Sequence, residues 1–114
     1  MQVLFLVLNK TECLEGILEA LMRNGIGGAT VLESEGMMRA MHPNLEDLPM
    51  FGTLRQLINP ARSMSKTIIM VVEDKQVDLI RKLIKQETGG LNHPDTGILF
   101  AVPTVFVEGI GDKR

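Results

Sequence analysis

The chain has 114 residues and a formal net charge of −2. That length suits one domain with its own core, and the charge excludes a strongly basic nucleic-acid binder, so no nucleic-acid partner is expected. An apolar content of 45% with 23% charged residues excludes general disorder, and the single cysteine, Cys13, excludes an intrachain disulfide or a Cys-rich zinc site.

Residues 3–8 form an unbroken apolar run, which reads as a buried strand and is far too short to span a membrane. No charged n-region precedes it and no small-residue cleavage site follows, so a soluble, cytoplasmic domain is the expectation. Asn9 and Glu12 stand at capping-box spacing, with Thr11 as a competing cap. Leu14, Ile17, Leu18 and Leu21 then recur at helical spacing, and Asn24-Gly25 ends the helix. Gly27-Gly28 turns the chain into a second strand over residues 29–34, closed by Gly36.

The second half repeats this plan. Residues 67–72 read as a strand, Glu73-Asp74 as a cap, and Val77, Ile80, Leu83 and Ile84 as the apolar stripe of a helix that Gly89-Gly90 stops. Residues 98–102 read as the next strand; Pro103 breaks it, and residues 104–107 are expected to add a short edge strand. Two split βαβ units point to an α+β, ferredoxin-like sandwich, with a long insert between the halves at residues 37–66. Within the insert, Asp47 as cap, Pro49 at the first helical position and the stripe Phe51, Leu54, Leu57 and Ile58 predict a short helix over residues 47–58. Its methionines suit either an adaptable docking surface or packing on the protein's own subunits.

Two helices cover only one face of a four-stranded sheet, yet three of the strands are apolar at both parities. An antiparallel sheet with one wet face alternates instead. The second face therefore needs cover; the insert helix could supply it, but sheet-to-sheet packing between subunits is the stronger expectation, because three strands need it.

Residues 24–31 (Asn-Gly-Ile-Gly-Gly-Ala-Thr-Val), the following Glu33-Ser-Glu-Gly36, Met70-Val-Val-Glu-Asp74, and Thr88-Gly89 with Gly97-Ile-Leu-Phe100 occur in an order and spacing that resembles the PII signal-transduction family, the nitrogen regulators. The resemblance covers most of residues 1–102. It implies a homotrimer of ferredoxin-like subunits with the sheets inward, a single domain over residues 1–114, and no enzymatic activity. It implies that residues 37–66 take the place of the T-loop that docks on a target protein, residues 88–97 that of the B-loop, and residues 103–114 that of the C-loop segment. A membrane protein is among the targets it admits. The ligand it implies is ATP or ADP between subunits; Leu8, Thr30, Gly36 and Val71 match positions that line that cleft, and Arg39 stands where the family also has arginine, while Met37, Met38, Asp95, Thr96 and Gly97 complete the candidate ligand-binding set.

The chain departs from the family at the phosphate clamp. Ile98 follows Gly97 where the family has a lysine, and Gly109 and Gly111 fall near two arginine positions. A polyphosphate needs such cations or a nest of N–H groups, so ATP is not expected to bind in the family's manner, and the small-molecule ligand is left unassigned. Ala40 replaces the glutamine that helps hold Mg²⁺ and 2-oxoglutarate, and the absence of tyrosine excludes tyrosine uridylylation.

Other candidates carry less. Arg39 suits anion recognition or a solvated loop. Asp95-Thr96-Gly97 makes a turn whose N–H groups are also suited to a ligand. His42, His93 and Cys13 do not make a metal site, and Cys13 reads as a small core hydrophobe. No nucleophile with its base, Walker loop or Gly-x-Ser-x-Gly is present. Two functions remain: a non-enzymatic regulator related to nitrogen or metabolite control, sensing a ligand at intersubunit clefts, or a trimeric metal- or metabolite-binding protein of the divalent-cation-tolerance type. The first places its ligand beside Gly36 and Gly97, the second at His42 or His93.

Overall fold

A computed structural model describes residues 1–41 and 64–110, apart from the side chains of Met38 and Arg39. The predicted helix over residues 47–58, His42, most of the insert and Gly111 lie outside the described residues. The elements in chain order are β1 (Gln2–Leu8), α1 (Leu14–Arg23), β2 (Ala29–Ser34), α2 (Met37–Ala40), β3 (Ser65–Val72), α3 (Val77–Thr88) and β4 (Gly97–Pro103). The chain is α+β: an antiparallel sheet in the order β2-β3-β1-β4 with the two longer helices. This arrangement is compatible with a ferredoxin-like fold.

The period of two along the strands decides which residues meet the helices. Leu4, Leu6 and Leu8 of β1 lie opposite Met70, Ile68 and Lys66 of β3. Together with Val72 these apolar side chains are buried against Ile17 and Leu21 of α1 and Ile80 and Ile84 of α3. Fully burying one such side chain contributes about 1.5–3 kcal/mol, so this single layer holds the helices on the sheet. The other parity faces away from the helices. It carries Val3, Phe5 and Val7, then Ile69 and Val71, then Ile98, Phe100 and Val102, with Leu32 on β2. Phe5 and Phe100 stack with ring centroids 4.9 Å apart. Ile98, Phe100 and Val102 remain 59%, 46% and 41% exposed. The two-sided apolarity of the strands is therefore real, and among the described residues the second side is left half-buried to exposed.

The helix ends follow their sequences with one exception. Asn24 closes α1 and Gly25 takes φ +80°; Gly89, at φ +81°, closes α3. Before α3, the Glu73 N–H donates to Gln76 Oε1 at 2.9 Å. The exception is α1. Its leading 3-10 turn, Thr11–Cys13, has Lys10 at the N-cap with no side-chain cap, and Asn9 Oδ1 accepts from Ser65 Oγ at 2.6 Å instead. The expected edge strand over residues 104–107 is also absent. Thr104 N and Oγ1 both donate to the Met1 carbonyl, at 3.2 and 3.0 Å, and the next residues meet no strand to pair with. Val105 and Phe106 stand exposed there. The one-turn helix α2, closed by Ala40 N to Gly36 O at 2.9 Å, was not expected from the sequence.

Candidate functional site

One end of the sheet gathers the finish of β1 and β2 and the start of β3 and β4. Leu8 pairs with Gly97 on one side and Lys66 on the other, while Ser34 pairs with Ser65. Gly36 and Met37 leave this end at the β2 edge. Asp95, Thr96 and Gly97 enter it at the β4 edge. Thr30 lies further along β2 opposite Ile69, and Val71 near the far end of β3 opposite Val3. Of the ten sequence-predicted positions, eight thus fall into two groups on opposite edges of the sheet, Leu8 is buried on the helix side between them, and Val71 stands apart on the interior strand β3 at the other end. Met38 and Arg39 belong to α2, but their side chains lie outside the described residues.

The turn before β4 is held closely. The carbonyl of the buried Thr96 accepts from the N–H groups of Asn9 and Lys10 at 2.9 and 3.0 Å. Asp95 takes a left-handed φ of 55°, which aspartate tolerates better than most residues. A Cβ at Gly97 would lie 2.6 Å from the Val7 carbonyl oxygen. The start of the same loop is pinned by Lys10, whose ammonium donates to the Thr88 carbonyl at 3.2 Å, a favourable place for a cation at a helix C-terminus. Thr88 Oγ1 donates to Ile84 O and accepts from Gly90 N. The loop over residues 88–97 is therefore a fixed rim.

Two cations at this end are already engaged: Lys10 with Thr88, and Lys66 with Glu33. The Lys66 ammonium, by hydrogen bond and by charge, holds the Glu33 carboxyl below its ordinary range. A carboxylate so depressed stabilises the fold above its unfolded pKa and loses that contribution as pH falls through its folded value. Glu33→Gln is therefore expected to show a smaller loss of melting temperature than the unaltered chain between pH 7 and pH 3, with the difference shrinking in high salt. Equal losses would show that the pair does not contribute.

Sequence reasoning missed a polar line across this end. Ser34 Oγ and Thr67 Oγ1 lie 2.7 Å apart, and Ser65 bonds Asn9 as above. The only signal was a cluster of small hydroxyls at strand ends. A concavity of about 400 Å³ opens at the opposite end of the sheet, between Gly27-Gly28, Val71, Glu73 and Gln76, with Val107 and Ile110 along one side. Of the predicted positions only Val71 lines it. There Gln2 Nε2 donates to Asp74 at 3.1 Å and, with the Met1 amino group 3.4 Å away, lowers that carboxyl's pKa.

Among the described residues no group of three or more His, Cys, Asp and Glu side chains is placed to hold a metal ion. No helix among them is long and apolar enough to cross a membrane. Comparison with protein-family models and with curated proteins found no match for the chain.

Proposed function

We propose that the chain is a non-enzymatic regulator of the PII type: a homotrimer of ferredoxin-like subunits that senses a small ligand in clefts between them and acts through residues 37–66 on a partner protein, in nitrogen or metabolite control. The apolar second side of the sheet carries this reading. Val3, Phe5, Ile69, Val71, Ile98, Phe100 and Val102 share that side; among the described residues the first four are half-buried and Ile98, Phe100 and Val102 stand exposed. Exposed apolar patches of that extent mark sites of association. Three sheets turned inward cover it, whereas the helices already occupy the other side. The division of the predicted ligand positions between two sheet edges supports a site completed by a neighbour. The strand order β2-β3-β1-β4 agrees with the subunit fold.

Light scattering of dilute protein tests the assembly, with a trimer mass expected; a monomer mass would overturn the reading. The regulatory half is tested by capture from a native lysate. The full chain is expected to retain a protein partner that a variant with residues 37–66 replaced by a short Gly-Ser linker does not.

A further inference from the structure

Two concavities lie end to end along the seam between α3 and β4. One, of about 310 Å³, is lined by Val77, Arg81, Leu99 and Ala101 among others. The other, of about 460 Å³, has Arg81, Lys82, Lys85, Leu91, Asn92 and Leu99 in its walls. Arg81 and Leu99 belong to both, so the two form one groove, apolar towards the start of α3 and basic towards its end. Leu99 and Ala101 have the opposite parity to Ile98, Phe100 and Val102, which puts the groove on the helix side of the sheet. That side stays outward in a trimer with the sheets inward.

The charge of the groove reverses that of the molecule. The chain carries −2, yet here three cations meet one carboxylate, Asp78. Asp78 reaches Arg81 only at 3.8 Å, and the two side chains are 97% and 69% exposed. A pair so exposed is worth little and exchanges readily for a closer anion. Among the described residues no carboxylate pairs with Lys82 or Lys85. Arg81 and Lys85 are four residues apart on one helix face, and Lys82 and Lys85 three. Like charges at those spacings destabilise a helix, a cost that an anionic partner relieves.

The spacing selects the form of that partner. Val77, Arg81 and Lys85 succeed one another every four residues, about 6 Å apart along α3. An extended chain repeats the side chains of one side about every 6.6 Å. A peptide lying along the groove therefore sets an apolar side chain against Val77 and Leu99, and carboxylates two and four residues further on against Arg81 and Lys85. We propose that this groove docks an extended acidic segment of a partner protein, with the pattern apolar-x-acidic-x-acidic. It is a contact separate from residues 37–66, and it does not depend on the regulatory reading above.

The probe is the peptide Ser-Leu-Ser-Glu-Ser-Glu-Ser carrying a neutral dye, titrated with the full chain at low ionic strength and followed by fluorescence anisotropy. Saturable binding is expected, weakening as salt is added. Arg81→Gln with Lys85→Gln is expected to raise Kd tenfold or more while keeping the circular dichroism of the unaltered chain. Lys75→Gln, outside the groove, is expected to change Kd less than twofold. A peptide with adjacent glutamates, which an extended chain sends to opposite sides, is expected to bind tenfold more weakly. Arg81→Glu with Lys85→Glu is expected to prefer the same peptide with lysines in place of its glutamates. Absence of saturable binding, or a Kd unmoved in the glutamine variant, overturns the proposal. Equal binding of the adjacent-glutamate peptide, or displacement by inorganic phosphate at the concentration at which unlabelled peptide displaces, overturns it in favour of diffuse anion attraction. Mass growth of the chain beyond a trimer at low salt, lost in the glutamine variant, overturns it in favour of a second copy, whose α1 segment offers Glu15 and Glu19. Peptide binding by a chain that light scattering finds monomeric supports the groove while the trimeric reading fails.

Discussion

Phe100→Asp is expected to leave each subunit folded and to abolish assembly. Phe100 lies on the open side of the sheet, opposite and stacked upon Phe5, with almost half of its surface in water. Within one subunit the change removes one stacked pair, worth about 0.5–1.5 kcal/mol beyond its area. The introduced carboxylate stays hydrated there. In a trimer with the sheets inward, the same carboxylate enters an apolar layer in which the described strand residues of that face offer no cation. An unpaired buried charge costs several kcal/mol or forces protonation, and a ring repeats that cost in every subunit. Sedimentation velocity at micromolar protein should therefore show a monomer, while far-ultraviolet circular dichroism keeps its native shape. A trimer unaffected by Phe100→Asp would show that the open face is not the contact and would remove the main support for the regulatory reading.

The local elements were legible because each rests on neighbours in sequence. Gly25 and Gly89 stop helices where the chain needs a left-handed residue, and the stripes Ile17, Leu21 and Ile80, Ile84 are buried as their spacing requires. The apolarity of residues 3–8 at both parities predicted a sheet with two apolar sides. What failed depended on partners far along the chain. Asn9 looked like a helix cap, but Ser65, 56 residues away, takes its oxygen. Residues 104–107 had the composition of a strand but no strand beside them. The one-turn helix α2 has too few residues for a helical period to register. At the candidate site, Asp95-Thr96-Gly97 announced a turn through its own chemistry. Its anchoring by Asn9 and Lys10 is a matter of register, and so is its separation from Gly36. A site divided between two edges of a sheet leaves no spacing signal, because strand order rather than sequence distance decides which residues meet.

The turn at the rim is expected to be the least forgiving glycine in the described chain. Gly97→Ala puts a Cβ 2.6 Å from the Val7 carbonyl oxygen and 3.4 Å from the Leu8 Cα. Both contacts are backbone of β1, which is bonded on both sides within the sheet, so neither atom can step aside as a side-chain tip would. The strain must then move the β4 end, and with it the Thr96 carbonyl that holds Asn9 and Lys10. Overpacking of this kind costs roughly 1–3 kcal/mol, which in a domain of this size corresponds to a fall in melting temperature on the order of 5–20 °C. Gly27→Ala is the matched control. A Cβ there meets nothing within 4 Å, and its melting temperature should stay within about 3 °C of the unaltered chain, as expected for a surface change of up to ~0.5 kcal/mol. If Gly97→Ala melts with the control, the rim yields without cost. The loop over residues 88–97 is then not the rigid wall that a cleft shared with Gly36 and Met37 of a neighbouring subunit requires.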